Sequence, residues 1–306
     1  MAAYDILVAG ELNPDLILSG EVVPEFGQVE KLVESAVLTI GSSSAIFACG
    51  ARRLGLRTAF IGVCGEDVFG RYMLDAMRRR NVDVSNVIVR PDGQTGLSVI
   101  LTRGADRAIL TYPGLIGALA ASDISDDLLR QARHLHVASY FMQTDLQPGL
   151  PGVFRRARSL GLTTSLDTNY DPSERWTGFD ELLGVTNVFL PNEREALSLA
   201  GMNDLDAAAE HLGSQVEALA IKLGAHGALG IRADEKLRVG SIPVNVVDTV
   251  GAGDSFDAGF LYGYLKRWDL RRCLELGAAC GALSTRAAGG TDGQPRLEEA
   301  MQHVSG

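Results

Sequence analysis

Short apolar runs alternate along the chain with longer stretches in which apolar positions recur every three or four residues. The runs Ile6–Ala9, Thr58–Val63, His134–Ala138, Thr163–Asp167, Val188–Leu190 and Ala218–Leu223 predict buried strands. The periodic stretches Ile46–Leu54, Phe69–Arg79, Gly152–Leu160, Glu193–Ala200, Asp204–Leu212, Asp254–Lys266 and Leu270–Ala287 predict helices between and after them. Strands that read apolar on both faces belong to a sheet covered on both sides, so the alternation predicts βαβ units around a mostly parallel sheet. Two segments, about 12–40 and 93–112, break the rhythm. They carry strand-like pieces, Leu16-Ile17-Leu18, Gly96–Thr102 and Ala108–Thr111, with no long helix. These predict a small extra sheet that projects from an edge and covers a crevice at the carboxyl ends of the parallel strands. No repeat, low-complexity tract or linker divides the 306 residues, so a single α/β domain spanning 1–306 is expected, with these two segments as its lid.

Composition narrows the partners. Hydrophobic residues make up 46% and charged residues 22%, ordinary for a folded soluble chain. A net charge of −10 argues against a nucleic-acid partner, whose phosphates demand an excess of Lys and Arg. Cys49, Cys64, Cys273 and Cys280 are scattered, without a CxxC pair or zinc spacing, which predicts buried free thiols in a reducing cytosol. The first residues carry no basic leader and no apolar run approaches about 18 residues, so a cytoplasmic protein with no membrane partner is expected.

The densest chemistry lies in residues 247–260, Val-Asp-Thr-Val-Gly-Ala-Gly-Asp-Ser-Phe-Asp-Ala-Gly-Phe. Gly251, Ala252 and Gly253 have little or no side chain, so the backbone can turn tightly and point successive N–H groups at an anion. Phe256, Phe260, Leu261 and Tyr264 give the following helix one apolar face and set its positive end against the turn. Asp254 falls in the first turn, where the helix dipole favours an ionised carboxylate able to take a proton from a hydroxyl beside a bound phosphate. An ordinary cap needs one polar residue, whereas this turn uses two glycines and an alanine.

On these residues and the lid pattern, the chain resembles the ribokinase-like (PfkB) family of carbohydrate kinases over nearly all its length. The resemblance implies a three-layer α/β/α core with a mostly parallel sheet plus a small β-sheet lid, and ATP-dependent phosphorylation of a hydroxymethyl group on a small sugar. Asp248-Thr249-Val250-Gly251-Ala252-Gly253-Asp254 is similar to the family's C-terminal signature. It makes Asp254 the general base, the N–H groups of Gly251, Ala252 and Gly253 the anion hole, and Thr249 a nucleotide contact. Pro191-Asn192-Glu193-Arg194-Glu195 is similar to its Asn-x-x-Glu element, implying Asn192 beside the nucleotide and Glu195 acting through water on Mg²⁺, although the same letters spell a capping box. Ile221-Lys222-Leu223-Gly224-Ala225-His226-Gly227 is similar to the family's turn beside the nucleotide, which implicates Lys222, Gly224 and Gly227; Lys222 at a strand end equally suits solvent. Asn13 and Asp15 match the position where the family holds its sugar, and Asp167-Thr168-Asn169 is similar to its Asp-x-Asn element near the phosphates or the metal. The resemblance further implies K⁺ on the backbone carbonyls of Asp248 and Val250.

Two departures stand out. Where the family shows two glycines and, four residues later, an asparagine, this chain reads Gly41-Ser42-Ser43-Ser44-Ala45-Ile46, so Gly41 and Ser42 are expected at the sugar while Ile46 removes one contact to it. The arginine that often follows Asp-x-Asn is absent at Tyr170 and Asp171, with Arg175 soon after. Tyr112, Phe141 and Met142 are candidate apolar walls, and the apolar lid strand at Leu16–Leu18 predicts pairing with a second copy as a homodimer. A nucleoside acceptor is the rival within the family, and a non-catalytic sugar or nucleotide sensor the rival outside catalysis. A dinucleotide oxidoreductase is excluded because neither G-x-G-x-x-G after the first strand nor GxxxxGK[ST] occurs.

Overall fold

In the computed structural model, residues 2–103 and 106–305 are described; residues 104 and 105 of the second lid segment, and positions 1 and 306, lie outside them. Eight strands form the main sheet in the order Glu235–Val239, Ala228–Arg232, Ala218–Lys222, Val188–Phe189, Thr163–Leu166, His134–Val137, Ile6–Ala9 and Thr58–Ile61. From Ala218–Lys222 onward every neighbouring pair is parallel, and the first two strands of that order join antiparallel. Side chains alternate across the sheet as the pleat requires. Ile6 and Val8 enter one buried cluster with Phe47, Phe60, Phe256 and Leu274, while Leu7 and Ala9 enter another with Leu135, Phe154 and Phe189. Helices therefore cover both faces, and the layers are three.

The helices begin where their caps allow. Ser42 accepts from the Ala45 amide at 3.0 Å and starts a helix at Ser43, three residues before the apolar periodicity does. The helix expected to start at Asp254 starts at Ala252 instead and runs to Leu265, and it is buried all round rather than on one face. It lies between the Ser43–Arg53 helix and the Leu270–Ser284 helix. Glycines allow the closer of these approaches: a Cβ on Gly259 would come within 2.7 Å of the Leu276 carbonyl, and one on Gly277 within 3.0 Å of the Phe256 ring.

The expected strand Thr58–Val63 is divided. Pairing with Ile6–Ala9 ends at Ile61, and Val63–Gly65 pairs instead with Ile88–Arg90 in a two-stranded sheet. Gly62 marks the break, its carbonyl accepting from the Ile88 amide at 2.9 Å. The small four-stranded sheet has the order Ser35–Ile40, Pro14–Ser19, Leu97–Arg103, Asp106–Tyr112, all drawn from the two irregular segments. Its outer strands leave Val37, Leu38, Ile109 and Leu110 exposed. All four cysteines are buried free thiols, and burial pushes Cys49 up to about 12 and Cys64 up to about 11. Among the described residues no helix is long and apolar enough to cross a membrane.

Candidate active site

Acidic and hydroxyl side chains gather where the parallel strands end, the position at which such sheets place their ligands. Glu11 follows Ile6–Ala9, Ser139 follows His134–Val137, Asp167 follows Thr163–Leu166, and Lys222 closes Ala218–Lys222. The Ala252–Leu265 helix starts beside them. Gly251 is left-handed at φ 73°, and a Cβ there would sit 2.7 Å from Gly290 Cα and 2.8 Å from the Gly290 carbonyl oxygen. Only glycine meets both demands.

The cradle differs in one amide from the expected set. The Ala252 N–H makes a long bond of 3.3 Å to the Thr249 carbonyl, so it is turned partly inward. Among the described residues, the amides of Gly251, Gly253 and Asp254 have no acceptor within the chain; the first helical bond runs from Ser255 to Gly251 at 2.9 Å. Three free donors at a helix start still make an anion site.

Asp254 is only 6% exposed. The dipole argument expected a readily ionised carboxylate, and the structure corrects it. Burial first, then the nearby Asp167 and Glu11 charges, push the Asp254 carboxyl well above the usual range, against the opposing pull of Lys222 and the Ser43 hydroxyl. Loss of hydration outweighs the half-charge of one helix end. A carboxyl so raised is a stronger base once ionised.

Lys222 does not face solvent. Its ammonium lies 2.8 Å from Asp167 and 3.1 Å from Asp257, and a Cβ on Gly253 would lie 3.6 Å from it. Burial opposes the charge, but the two carboxylates outweigh burial and hold the Lys222 pKa above the usual lysine range. Burial pushes Asp257 up and the ammonium pulls it back; the ion pair is the state in which all three groups find partners. Asp257, and the meeting of Lys222 with Asp167 and Asp257, escaped sequence reasoning, since the two acids stand 55 and 35 positions from Lys222.

Asn192 and Glu195 form the capping box in full. The Glu195 amide donates to Asn192 Oδ1 at 2.9 Å, the Asn192 amide donates to Glu195 Oε2 at 2.9 Å, and Asn192 Nδ2 donates to Glu195 Oε1 at 2.5 Å. Burial and Asp167 together push Glu195 to about 7, with Lys222 opposing. With Asn192 donating to both its oxygens, this carboxylate suits a hard cation that keeps its own waters rather than direct ligation. Among the described residues no three His, Cys, Asp or Glu side chains enclose a metal position. Asp248 ties two loops together, accepting from the Val250 amide at 3.0 Å and the Gly289 amide at 2.9 Å.

On one side of the cradle lies a cleft of about 580 Å³, lined by Lys222, Gly224, Gly227, Thr249, Ala252 and Gly253 together with Ile242, Pro243, Val244, Val246 and the helix residues Ala278 and Ala282. The apolar 242–246 stretch was not recognised from sequence. Its signal was a short apolar run immediately ahead of the glycine turn.

On the other side is the small sheet. Asp15 sits on its Pro14–Ser19 strand, 7% exposed, and burial pushes its carboxyl to about 7, with Asp248 and Glu11 adding to the rise and Arg107 opposing it. Gly41 leaves room for it, because any Cβ there would collide with the Asp15 carboxylate. Asn13 Nδ2 donates to Ser98 Oγ at 3.4 Å. Ser42 takes φ 67°, a conformation that favours glycine, and its hydroxyl compensates by donating to the Glu11 carbonyl at 2.6 Å while capping the helix. Glu11, missed as a site residue, receives the Ser44 hydroxyl at 2.5 Å, the Ser44 amide at 3.1 Å and the Ser139 hydroxyl at 2.9 Å. Asn169 donates to Ser43 at 3.1 Å.

The remaining candidates have other surroundings. Ile46 packs beneath the cradle against Gly251 and Gly290. Arg175 is exposed, its backbone amide held by Asp171 at 3.0 Å. Phe141 packs among Tyr140, Trp176 and Phe179, and the Tyr112 hydroxyl donates to Gln94 at 2.9 Å in an exposed position.

An apolar cleft beside an open anion cradle, with the buried carboxyls of Asp254, Asp15 and Glu11 around it, is the arrangement of a phosphotransferase of the α/β class. The sequence profile of the pfkB family carbohydrate kinases matches residues 4–297. A protein of Archaeoglobus fulgidus named uncharacterized sugar kinase is 34% identical over 249 residues, covering 81% of this chain and 98% of its own. Among solved structures, adenosine kinase from Sinorhizobium meliloti aligns with a TM-score of 0.84 at 26% identity, over 98% of both chains. Arabidopsis thaliana ribokinase complexed with ribose and ATP aligns with a TM-score of 0.84 at 23% identity, again over 98% of both. The chain belongs to the pfkB family of carbohydrate kinases.

Proposed function

We propose that this carbohydrate kinase moves the γ-phosphoryl group of ATP to a hydroxymethyl group of a small neutral sugar. The observation that carries the reading is Asp254: a buried carboxyl in the first turn of a helix at whose start the Gly251, Gly253 and Asp254 amides lack internal acceptors, with an apolar cleft on one side of the cradle and the small sheet bearing Asp15 on the other. Adenine suits the cleft formed by Ile242, Val244 and Ala282, and the ribose and ATP of the Arabidopsis relative support that pairing. The amides of Gly251, Gly253 and Asp254 receive the charge of the migrating phosphoryl group, and the Lys222 ammonium beneath them offsets part of the negative charge of Asp167 and Asp257. Asp254 takes the proton of the incoming hydroxyl, while Asp15 and Asn13 orient the alcohol from the lid side. Glu195, with Asp167 close by, would hold Mg²⁺ through water; the ion supplies neutralisation of phosphate charge. The buried side chains on the lid side of the cradle include the carboxyls of Glu11, Asp15 and Asp254, so a neutral polyol suits it better than an acidic sugar.

The adenosine kinase likeness keeps a nucleoside acceptor as the second reading. ADP release measured across pentoses, hexoses, sugar acids and nucleosides tests both. Turnover with a neutral sugar above all others is expected; turnover with nucleosides alone transfers the assignment to the second reading, and ATP hydrolysis with no acceptor dependence ends both. The same assay with K⁺ exchanged for a bulky organic cation tests a monovalent ion on the Asp248 and Val250 carbonyls, where activity should fall.

Acidity should matter in a defined direction. Asp15 and Glu195 are pushed to about 7 and burial lifts the Asp254 carboxyl well above the usual carboxylate range, so each is neutral below its pKa and carries charge only above it. Acceptor capture and proton removal need the charged forms. Hence kcat/KM in a pH series should decline on the acid side with a midpoint at or above about 7, not near the 4 to 5 of ordinary carboxyls. A profile flat down to about pH 5 contradicts the assignment.

The exposed Val37, Leu38, Ile109 and Leu110 of the small sheet support pairing of two lids into a homodimer; light scattering that returns the mass of one chain removes it. Buried free thiols support a reducing, cytoplasmic setting.

A further inference from the structure

The two helices whose first turns build the active site both end at a second cavity. The Ser43–Arg53 helix is 11 residues long and the Ala252–Leu265 helix 14, which puts their far ends roughly 15–20 Å from the cradle. There, with the end of the Val68–Arg79 helix, they surround a hollow of about 650 Å³. Its walls carry Arg52, Arg53, Arg79, Arg80, Lys266 and Arg296.

Six of the chain's 28 basic residues thus share one cavity in a protein of net charge −10. Basic side chains at helix ends are what the dipole favours, and that accounts for one or two at each terminus. It does not account for Arg296, which comes from the loop ahead of the last helix, nor for the scarcity of acids. Glu298 is the one acidic side chain in the lining, and Asp292 engages Arg80 at 2.7 Å. The six cations outweigh these two acids and the partial negative charge, about half an elementary charge each, of the three helix ends.

A second observation is independent of charge. Thr291 lines the same cavity, is 2% exposed, and its hydroxyl has no hydrogen-bond partner among the described residues. A buried hydroxyl left unpaired costs about 1–3 kcal/mol; the Thr291 oxygen is sealed from solvent, so a bound acceptor oxygen would recover that cost by drawing this loop toward it. Thr291 also belongs to the loop that braces the cradle. Gly289 donates to Asp248 at 2.9 Å, Gly290 packs on Gly251, and Gln294 donates to Ser255 Oγ at 3.2 Å and to the Ile46 carbonyl at 2.9 Å.

We propose that this cavity binds a small phosphorylated anion and that its occupancy is felt at the active site through residues 289–294. Inorganic polyphosphates and organic bisphosphates share the needed chemistry, several acceptor oxygens on closely spaced charges, and a cavity of this volume admits either.

Isothermal titration separates the sources, using pyrophosphate and fructose 1,6-bisphosphate as probes against the full chain and against an Arg53→Ser/Arg79→Ser variant, both exposed side chains outside the catalytic machinery. At least one probe should bind the native protein, and the variant should bind it at least about tenfold more weakly, the loss expected for removing charge-assisted contacts. Affinity for ATP should be unchanged, and the bound probe at fixed free Mg²⁺ should alter kcat or the KM for ATP in the native enzyme and not in the variant. Equal affinity in both proteins, which would put the probe in the nucleotide cleft, overturns the proposal. So does absence of binding, or binding with no kinetic effect. If the double variant loses ATP affinity, Arg53→Gln alone carries the same comparison.

Discussion

Asp254→Asn lowers kcat about 10²–10⁴-fold, the contribution of a positioned general base, and leaves the affinity for ATP essentially intact. The two halves of that result have separate physical grounds. Asparagine keeps the size of the side chain and the free amides of the cradle, so phosphate recognition persists. It cannot accept the hydroxyl proton, so transfer fails. The structure adds an expectation about stability: burial and Asp167 already disfavour the charged form of Asp254, so a neutral side chain there removes a cost. The variant should melt at the same temperature as the native enzyme or higher, the pattern of a residue retained for activity at the expense of stability. Near-native turnover in stopped assays of ADP formation would refute the base assignment, and a collapsed melting temperature would mean the carboxyl is structural.

Lys222→Met has the opposite profile. Removing the ammonium leaves Asp167 and Asp257, each about 1% exposed, with no counter-ion. Breaking one side of a buried ion pair costs about 3–5 kcal/mol, so thermal unfolding should occur roughly 5–15 °C lower. A second substitution, Asp257→Asn, should recover part of the loss because it removes one of the stranded charges. Since Lys222 lies beneath Gly253, catalysis should also weaken in the folded fraction. A melting temperature within about 1 °C of native would show that the cluster is not an ion pair at all.

The parts of this molecule that were legible in the sequence are those encoded by neighbours in the chain. The glycine turn before Asp254 is local, so its left-handed residue follows from a few consecutive letters, while which of its amides stay free, Asp254 in place of Ala252, does not. Most of the parallel strands were legible as short apolar runs, Ile6–Ala9 and Ala218–Lys222 among them, whereas Thr163–Leu166 and His134–Val137 carry buried polar side chains as well. The antiparallel edge Ala228–Arg232 and Glu235–Val239 was not. Its turn passes through Ala233 at φ 50° with neither Gly nor Asn to announce it. The Lys222 cluster was hidden for another reason: a lysine at a strand end reads as solvated until the fold brings two acids from distant segments onto it. Asn192 and Glu195 show a third limit. One spacing serves both a capping box and a metal-facing carboxylate, and in the folded protein the box is complete while the carboxylate still faces Asp167 and Lys222. Glu11 was passed over although it stands two residues before Asn13, because its partners come from elsewhere, Ser44 from the first turn of the Ser43–Arg53 helix and Ser139 from beyond the His134–Val137 strand.

The glycine contacts between the Ala252–Leu265 and Leu270–Ser284 helices have a mechanical corollary. With Gly259 against the Leu276 carbonyl and Gly277 against the Phe256 ring, the two helices have little room to slide past each other. The cradle is therefore an anvil, anchored to a close-packed seam. Whatever travel is needed to bring alcohol and nucleotide into line must be supplied from the opposite jaw.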